Sequence, residues 1–159
     1  ELEALAAVFE RHPQITVISD EIYEYIRFEG KHESIASIGQ MQARTVVVNG
    51  LSKGFAMTGW RFGYIAAPLP IAQACVKLQG QFTSATCSIT QKAAIAALTG
   101  DLGPSQAMTE AFKRRRSLVV EALQRIDRLK CNLPDGAFYV FPDVSAYFGT
   151  RFGEYHIRN

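Results

Sequence analysis

Asn49-Gly50-Leu51-Ser52-Lys53-Gly54-Phe55-Ala56-Met57-Thr58-Gly59-Trp60-Arg61-Phe62-Gly63 is the stretch that decides how this chain folds. Just before it, Thr45 to Asn49 (TVVVN) is rich in β-branched residues and predicts a strand. At its end, Arg61 to Ala66 predicts another, closed by Pro68. Lys53 therefore follows the carboxyl end of a strand, where α/β sheets bind their ligands. Gly50, Gly54 and Gly59 permit tight turns, and small neighbours leave room beside Lys53. Arg61 lies eight residues further on and can fold back to present its fork to a phosphate. Each feature has a plain structural explanation when taken singly. A loop lysine is ordinarily a solvated charge, a loop glycine turns the chain, and an arginine opening a strand makes a surface ion pair. Their joint order is what points to a ligand site.

The flanks supply the rest of an α/β pattern. Leu2, Leu5, Val8 and Phe9 have helical spacing that stops at His12-Pro13, and Ile15 to Ser19 reads as a short buried strand. Pro70 suits a helix start, with Ile71, Ala74, Cys75 and Leu78 on one face. Ser88-Ile89-Thr90-Gln91 has the form of a capping box, opening a helix that ends at Gly100. Pro104 opens a long helix to about Arg128, on which Arg114-Arg115-Arg116 reads as a solvated face. Ala137 to Phe141 predicts a last strand before Pro142. The expected fold is a sheet with helical crossovers. Because the chain opens in mid-helix and stops after one strand of its final unit, it is expected to be a piece of a longer protein.

Composition narrows the function classes. The 159 residues suit about one domain, and 48% hydrophobic with 20% charged residues is ordinary for a globular protein. Lys+Arg 17 against Asp+Glu 15 leaves +2, without the clustered charge of a nucleic-acid groove or a polybasic membrane patch. No apolar run approaches the roughly 20 residues of a spanning helix, and the start does not read as a signal peptide. Cys75, Cys87 and Cys131 are read as reduced core thiols of a cytoplasmic protein. His12, His32 and His156 lack metal-ligand spacing, so no metal site is expected.

GLSKGFAMTGWRFG (50–63) resembles, position for position, the lysine motif of class I and II aminotransferases. These are the aspartate-aminotransferase-like branch of the fold-type I enzymes that use pyridoxal 5′-phosphate (PLP). Ser19-Asp20-Glu21-Ile22-Tyr23-Glu24, Lys31 to Ser37 (KHESIAS) and Pro134 to Pro142 (PDGAFYVFP) resemble further motifs of the same family, in its order and spacing. The resemblance implies that Lys53 holds PLP as an internal Schiff base and, once released, moves the α-proton of the substrate. It implies that Asp20 pairs with the pyridine nitrogen, that Tyr23 hydrogen-bonds the ring's 3′-oxygen, and that Arg61 clamps the phosphate. Asp20 and Tyr23 would share one helical turn after their strand; apart from the resemblance, Asp20 reads as a helix N-cap and Tyr23 as a core-edge aromatic. Ser52 is a further candidate cofactor contact, and Gly50 falls where some members carry a phosphate-binding serine. The family's glycine-rich phosphate loop and ring-stacking aromatic lie upstream of this sequence, and its carboxylate-binding arginine lies downstream.

The fold so implied is PLP-transferase type I: an incomplete mixed sheet with helical crossovers, plus the start of a small α+β domain. Residues 1–116 would belong to the large PLP-binding domain and 117–159 to the small one. The parent protein would transfer an amino group between an amino acid and a 2-oxo acid as a cytoplasmic homodimer. A PLP-dependent β-lyase, and a non-enzymatic sensor domain of a regulator, share the same motifs.

Overall fold

A β-branched strand gains stability only by pairing, and here Val17–Asp20 (β1) pairs in parallel with Thr45–Gly50 (β2). The register sets Val17 opposite Thr45 and Asp20 opposite Val48. The computed structural model describes residues 1–158, and all that follows refers to these. Gly63–Ala66 (β3) joins the other side of β2 antiparallel, with Gly50 opposite Gly63, so β2 is the central strand of a mixed sheet. Thr45, Val46, Asn49 and Gly50 of β2 are buried, whereas β3 is exposed along its length. Parallel neighbours need a long connection. Between β1 and β2 it carries two short 3-10 turns, Ile35–Ser37 and Met41–Arg44.

That connection and the first helix, Leu2–Glu10 (α1), enclose a small core of Ala6, Ile35 and Met41, with Leu2, Phe9, Val17 and Ile38 packed around it. Arg44 closes the end of α1 by donating from Nη1 to the carbonyls of Phe9 (2.8 Å) and His12 (3.1 Å), adding to the backbone N–H bonds that these carbonyls accept. Of the expected apolar stripe, Leu5 and Val8 stay exposed.

Three longer helices follow: Leu69–Phe82 (α2), Ser88–Thr99 (α3) and Gly103–Gln124 (α4). The chain divides into two compact units, Glu1–Tyr25 with Lys31–Gln106, and Ile26–Gly30 with Ala107–Asn159. In the second unit, the amide N–H of Phe28 donates to the Asp135 carbonyl at 2.8 Å and that of Ala137 to the Ile26 carbonyl at 2.7 Å. A Cβ on Gly136 would stand 2.8 Å from the Ile26 carbonyl oxygen, so this approach requires glycine. Phe28, Phe112, Val119 and Phe138 line an apolar cavity of about 480 Å³ there. A short hairpin, Arg151–Phe152 (β4) with Tyr155–His156 (β5), comes last.

Several expectations are corrected. Ala137 to Phe141 is not a strand: Ala137 has a left-handed backbone (φ 57°), and only isolated bridges form nearby, Arg27 with Gly136 and Lys130 with Asp143. Ser88 does not cap α3; it is the helix's first residue, and Cys87 takes the cap position without a side-chain bond. Cys75 and Cys87 are exposed and Cys131 half-buried, so none is a core thiol. The Cys87 thiol is drawn below its usual range by the N–H groups of Ile89 and Thr90 at the start of α3. Arg114 and Arg115 are solvated, but the Arg116 side chain is only 7% exposed, donates to the Pro134 carbonyl at 2.9 Å and lies over the Phe28 ring.

Met41 is 1% exposed within the first core. Met41→Ala should cost about 2–5 kcal/mol in denaturant unfolding, the range for a buried methionine truncation. Leu78→Ala, at a 59% exposed position, should stay within about 0.5 kcal/mol. Equal effects would show that the core lies elsewhere.

Candidate active site

The ladder between β1 and β2 ends where the Glu21 N–H donates to the Val48 carbonyl at 2.8 Å. Beyond that point the two chains part. One forms the hydrogen-bonded turn Ile22–Tyr25; the other runs through Gly50 into the Lys53 turn. This divergence at parallel strand ends is the kind of crevice in which α/β sheets seat a ligand.

Asp20 is the last residue of β1 and exposed, and its Oδ1 accepts from the Ile22 N–H at 3.2 Å. The Asp20–Tyr23 segment is thus a strand end and turn, not the helical turn its spacing suggested, because the chain is bent by this local bond. Tyr23 lies half-buried in the turn. Ser52 and Lys53 are half-buried in the next loop, where the Lys53 carbonyl accepts from Ala56 at 3.2 Å. Leu51, 1% exposed, anchors that loop. Its N–H donates to the Phe62 carbonyl at 3.5 Å, and its carbonyl accepts from Met57 at 3.2 Å.

The two turns pack together. A Cβ on Gly54 would meet Tyr25 Cβ at 2.7 Å, and the Tyr25 and Phe55 rings meet edge to face at 4.8 Å. A Cβ on Gly50 already meets the Phe62 carbonyl oxygen at 2.8 Å, so this backbone leaves no room for the serine found in some members of the family. Arg61 does not open β3, which starts at Gly63; it follows the 3-10 turn Thr58–Trp60 in a left-handed conformation (φ 53°). Its Nη1 donates to the Thr58 carbonyl at 2.9 Å. Arg61 lines a cavity of about 570 Å³ with Gln79, Thr86, Cys87 and Thr90, and the lining does not include Asp20, Tyr23 or Lys53. Thr90 ties α3 to this loop by donating to the Trp60 carbonyl at 3.1 Å.

Polar residues with no assigned role hold this frame. The Glu21 carboxylate accepts from Ser34 (2.6 Å) and Ser19 (3.0 Å) and meets His32 Nε2 at 2.7 Å. Burial pushes the Glu21 carboxyl up, but the bonds from Ser34, His32 and Ser19, with the His32 charge, outweigh it and leave it below its ordinary 4.5. The buried Asn49 donates from Nδ2 to Glu24 Oε2 at 2.7 Å and accepts from the Gly50 N–H at 2.7 Å. Burial, then the charge of Glu24, raises the Tyr25 and Tyr64 phenols above their ordinary value. Glu21, His32 and Ser34 lie inside segments singled out by sequence; that all three meet was visible only once the connection folded.

Lys53, Asp20 and Tyr23 thus lie on the segments that leave the carboxyl ends of β1 and β2, while Arg61 lies on the approach to β3. The chain belongs to the class I and II aminotransferase family, whose profile matches residues 1–154. It is 46% identical over 162 residues to an aspartate aminotransferase of Pinus pinaster, covering 99% of this chain and 33% of that protein. It is 49% identical over 156 residues to a bifunctional aspartate aminotransferase and glutamate/aspartate-prephenate aminotransferase of Petunia hybrida, covering 94% and 32%. The crystal structure of an aspartate aminotransferase from Rhizobium meliloti superposes with a TM-score of 0.86 at 41% identity, covering 91% of this chain and 37% of that one. The fold is therefore PLP-transferase type I, and the chain spans about a third of the length of the curated relatives it matches.

Two outcomes follow from this geometry. Because the Glu21 carboxyl is lowered on folding, its stabilising share is complete above 4.5 and fades as pH falls through the lowered value. Glu21→Gln should flatten the acid limb of a stability-against-pH curve; an unchanged limb would show that the carboxylate contributes nothing. Gly54→Ala should destabilise the fold by about 1–3 kcal/mol through overpacking against Tyr25, seen as a lower midpoint in tyrosine-monitored unfolding.

Proposed function

We propose that the protein carrying this sequence is a PLP-dependent aminotransferase that moves an amino group between an amino acid and a 2-oxo acid. The observation that carries the reading is the packing of the Asp20–Tyr25 segment against the Lys53 loop at the carboxyl ends of β1 and β2, in a chain matching the family from residue 1 to 154. The residue types fit the cofactor: an amine for its aldehyde, a carboxylate for its ring nitrogen, a phenol for its ring oxygen and a guanidinium for its phosphate. PLP, when bound, supplies an electron-withdrawing ring that stabilises negative charge at the substrate's α-carbon.

The chain's own groups would divide the remaining work. Lys53 attaches the cofactor and afterwards holds or moves the α-proton through Nζ. Asp20 places a carboxylate where a cationic ring nitrogen needs one, Tyr23 donates from its hydroxyl, and Ser52 lends a second hydroxyl. Arg61, one of whose guanidinium nitrogens donates to the Thr58 carbonyl, would offer the rest of its fork to the phosphate. Relatives named for aspartate support that amino acid as donor. Residues 1–116 would serve the large domain and 117–159 the small one. The assembly proposed is a homodimer, and three free cysteines suit a reducing, cytoplasmic setting. No helix among the described residues is long and apolar enough to cross a membrane.

Borohydride reduction of the PLP-loaded full-length protein, followed by peptide mapping, should place the pyridoxyl group on Lys53; a label on Lys31, Lys77 or Lys92 would refute the assignment. In the same protein Asp20→Ala should lower kcat by about 2.7–4 kcal/mol of transition-state stabilisation, as expected for one preorganised electrostatic partner, while the unfolding midpoint holds.

A further inference from the structure

The cofactor reading leaves a question of spacing. Tyr23 and Lys53 sit on different turns, and the β1–β2 ladder stops at Asp20 and Val48, before either turn begins. Something past the ladder has to hold the two turns in register. Several contacts run along this seam. Ile22 Cδ1 would lie 3.2 Å from a Cβ at Gly50, Tyr25 packs on Gly54, and Asn49 makes a polar contact with Glu24. Tyr23 lies between Ile22 and Glu24 in sequence, and Lys53 adjoins Gly54.

We propose that Asn49 is a positioning residue for the cofactor, its carboxamide bridging Glu24 to the Gly50 backbone and so fixing the Tyr23 turn against the Lys53 loop. The proposal rests on the aminotransferase reading above. With Glu24 opposite, a carboxamide suits the position. It must donate to a carboxylate on one side and accept from an amide N–H on the other, at 2.7 Å each. An aspartate has no donor for Glu24, and an aliphatic residue would serve neither. At 5% exposure water cannot replace a lost partner, so a broken bridge leaves an unpaired polar group inside the crevice wall. The bond to Glu24 is charge-assisted, which makes it the stronger of the two. The carboxamide is engaged by Glu24 and the Gly50 N–H, so its part in cofactor binding is positional. Its effect is on the fraction of molecules whose two turns are correctly spaced before PLP arrives, and affinity scales with that fraction.

The test uses apoprotein of the full-length chain, titrated with PLP, alongside borohydride labelling. Asn49→Asp sets a carboxylate against Glu24 and should weaken PLP binding about tenfold or more, as expected if the competent fraction falls to about a tenth. Glu24→Gln alone keeps an acceptor but gives up the charge, and should weaken PLP binding by less than Asn49→Asp does. The double variant Asn49→Asp/Glu24→Gln reverses the donor and acceptor and should regain affinity to within about twofold. Thermal midpoints measured in parallel separate positioning from bulk stability. Wild-type affinity in Asn49→Asp, or no recovery in the double variant, overturns the proposal. A wild-type label away from Lys53 overturns the active-site reading and this inference with it. A label on Lys53 with unaltered affinity in the variants overturns this inference alone.

Discussion

Everything in the site hangs on the parallel pairing of β1 with β2. Parallel strands bring like ends together, so Asp20 and Val48 are neighbours and the residues after each begin from the same edge. An antiparallel pair would have sent the Asp20 turn and the Lys53 loop to opposite ends of the sheet. β3 then returns antiparallel along β2, placing Gly63 opposite Gly50, and the Lys53 loop is pinned at both feet. The price of the parallel arrangement is a long return connection, and this chain folds it against α1 rather than leaving it loose.

Polar residues share the holding at this edge with Leu51 and the Tyr25–Phe55 ring pair. The Glu21 carboxylate gathers Ser19, Ser34 and His32, joining the end of β1 to the start of the connection. Asn49 and Glu24 do the same between the two turns. Glycines complete the fit where even a methyl group would collide, at Gly50 against Phe62 and at Gly54 against Tyr25. The geometry is set by many short contacts, each weak and each directional.

Much of this was legible in the residues. TVVVN and its neighbours form strands because β-branched runs bounded by turn residues have few alternatives, and the Lys53 loop follows the end of β2 as its glycines indicated. The helices at Leu69, Ser88 and Gly103 start within a residue or so of Pro70, Ser88 and Pro104. What failed did so for tertiary reasons. Ala137 to Phe141 is apolar and β-prone, but no strand among the described residues lies alongside, and the turn at Ala137 takes the backbone elsewhere. Cys75 read as a core residue because apolar spacing does not reveal which helix face is covered; Val76, Leu78 and Phe82 of α2 are exposed as well. The Glu21 cluster joins residues 13 apart in sequence, a distance at which local periodicity is silent.

The five residues Ile26–Gly30 leave the first unit, join the second and return. The backbone therefore crosses between the units three times: after Tyr25, after Gly30 and after Gln106. No single cut separates them: severing after Gln106 would strand Phe28 without the Asp135 carbonyl that receives its N–H. On the ribosome, where chains emerge N-terminus first, Ile26 to Gly30 are made early but find their partners only after residues 134–137 have been synthesised. The Tyr23 turn, immediately upstream, is thus tethered during synthesis to a segment that is still waiting for the far end of the chain.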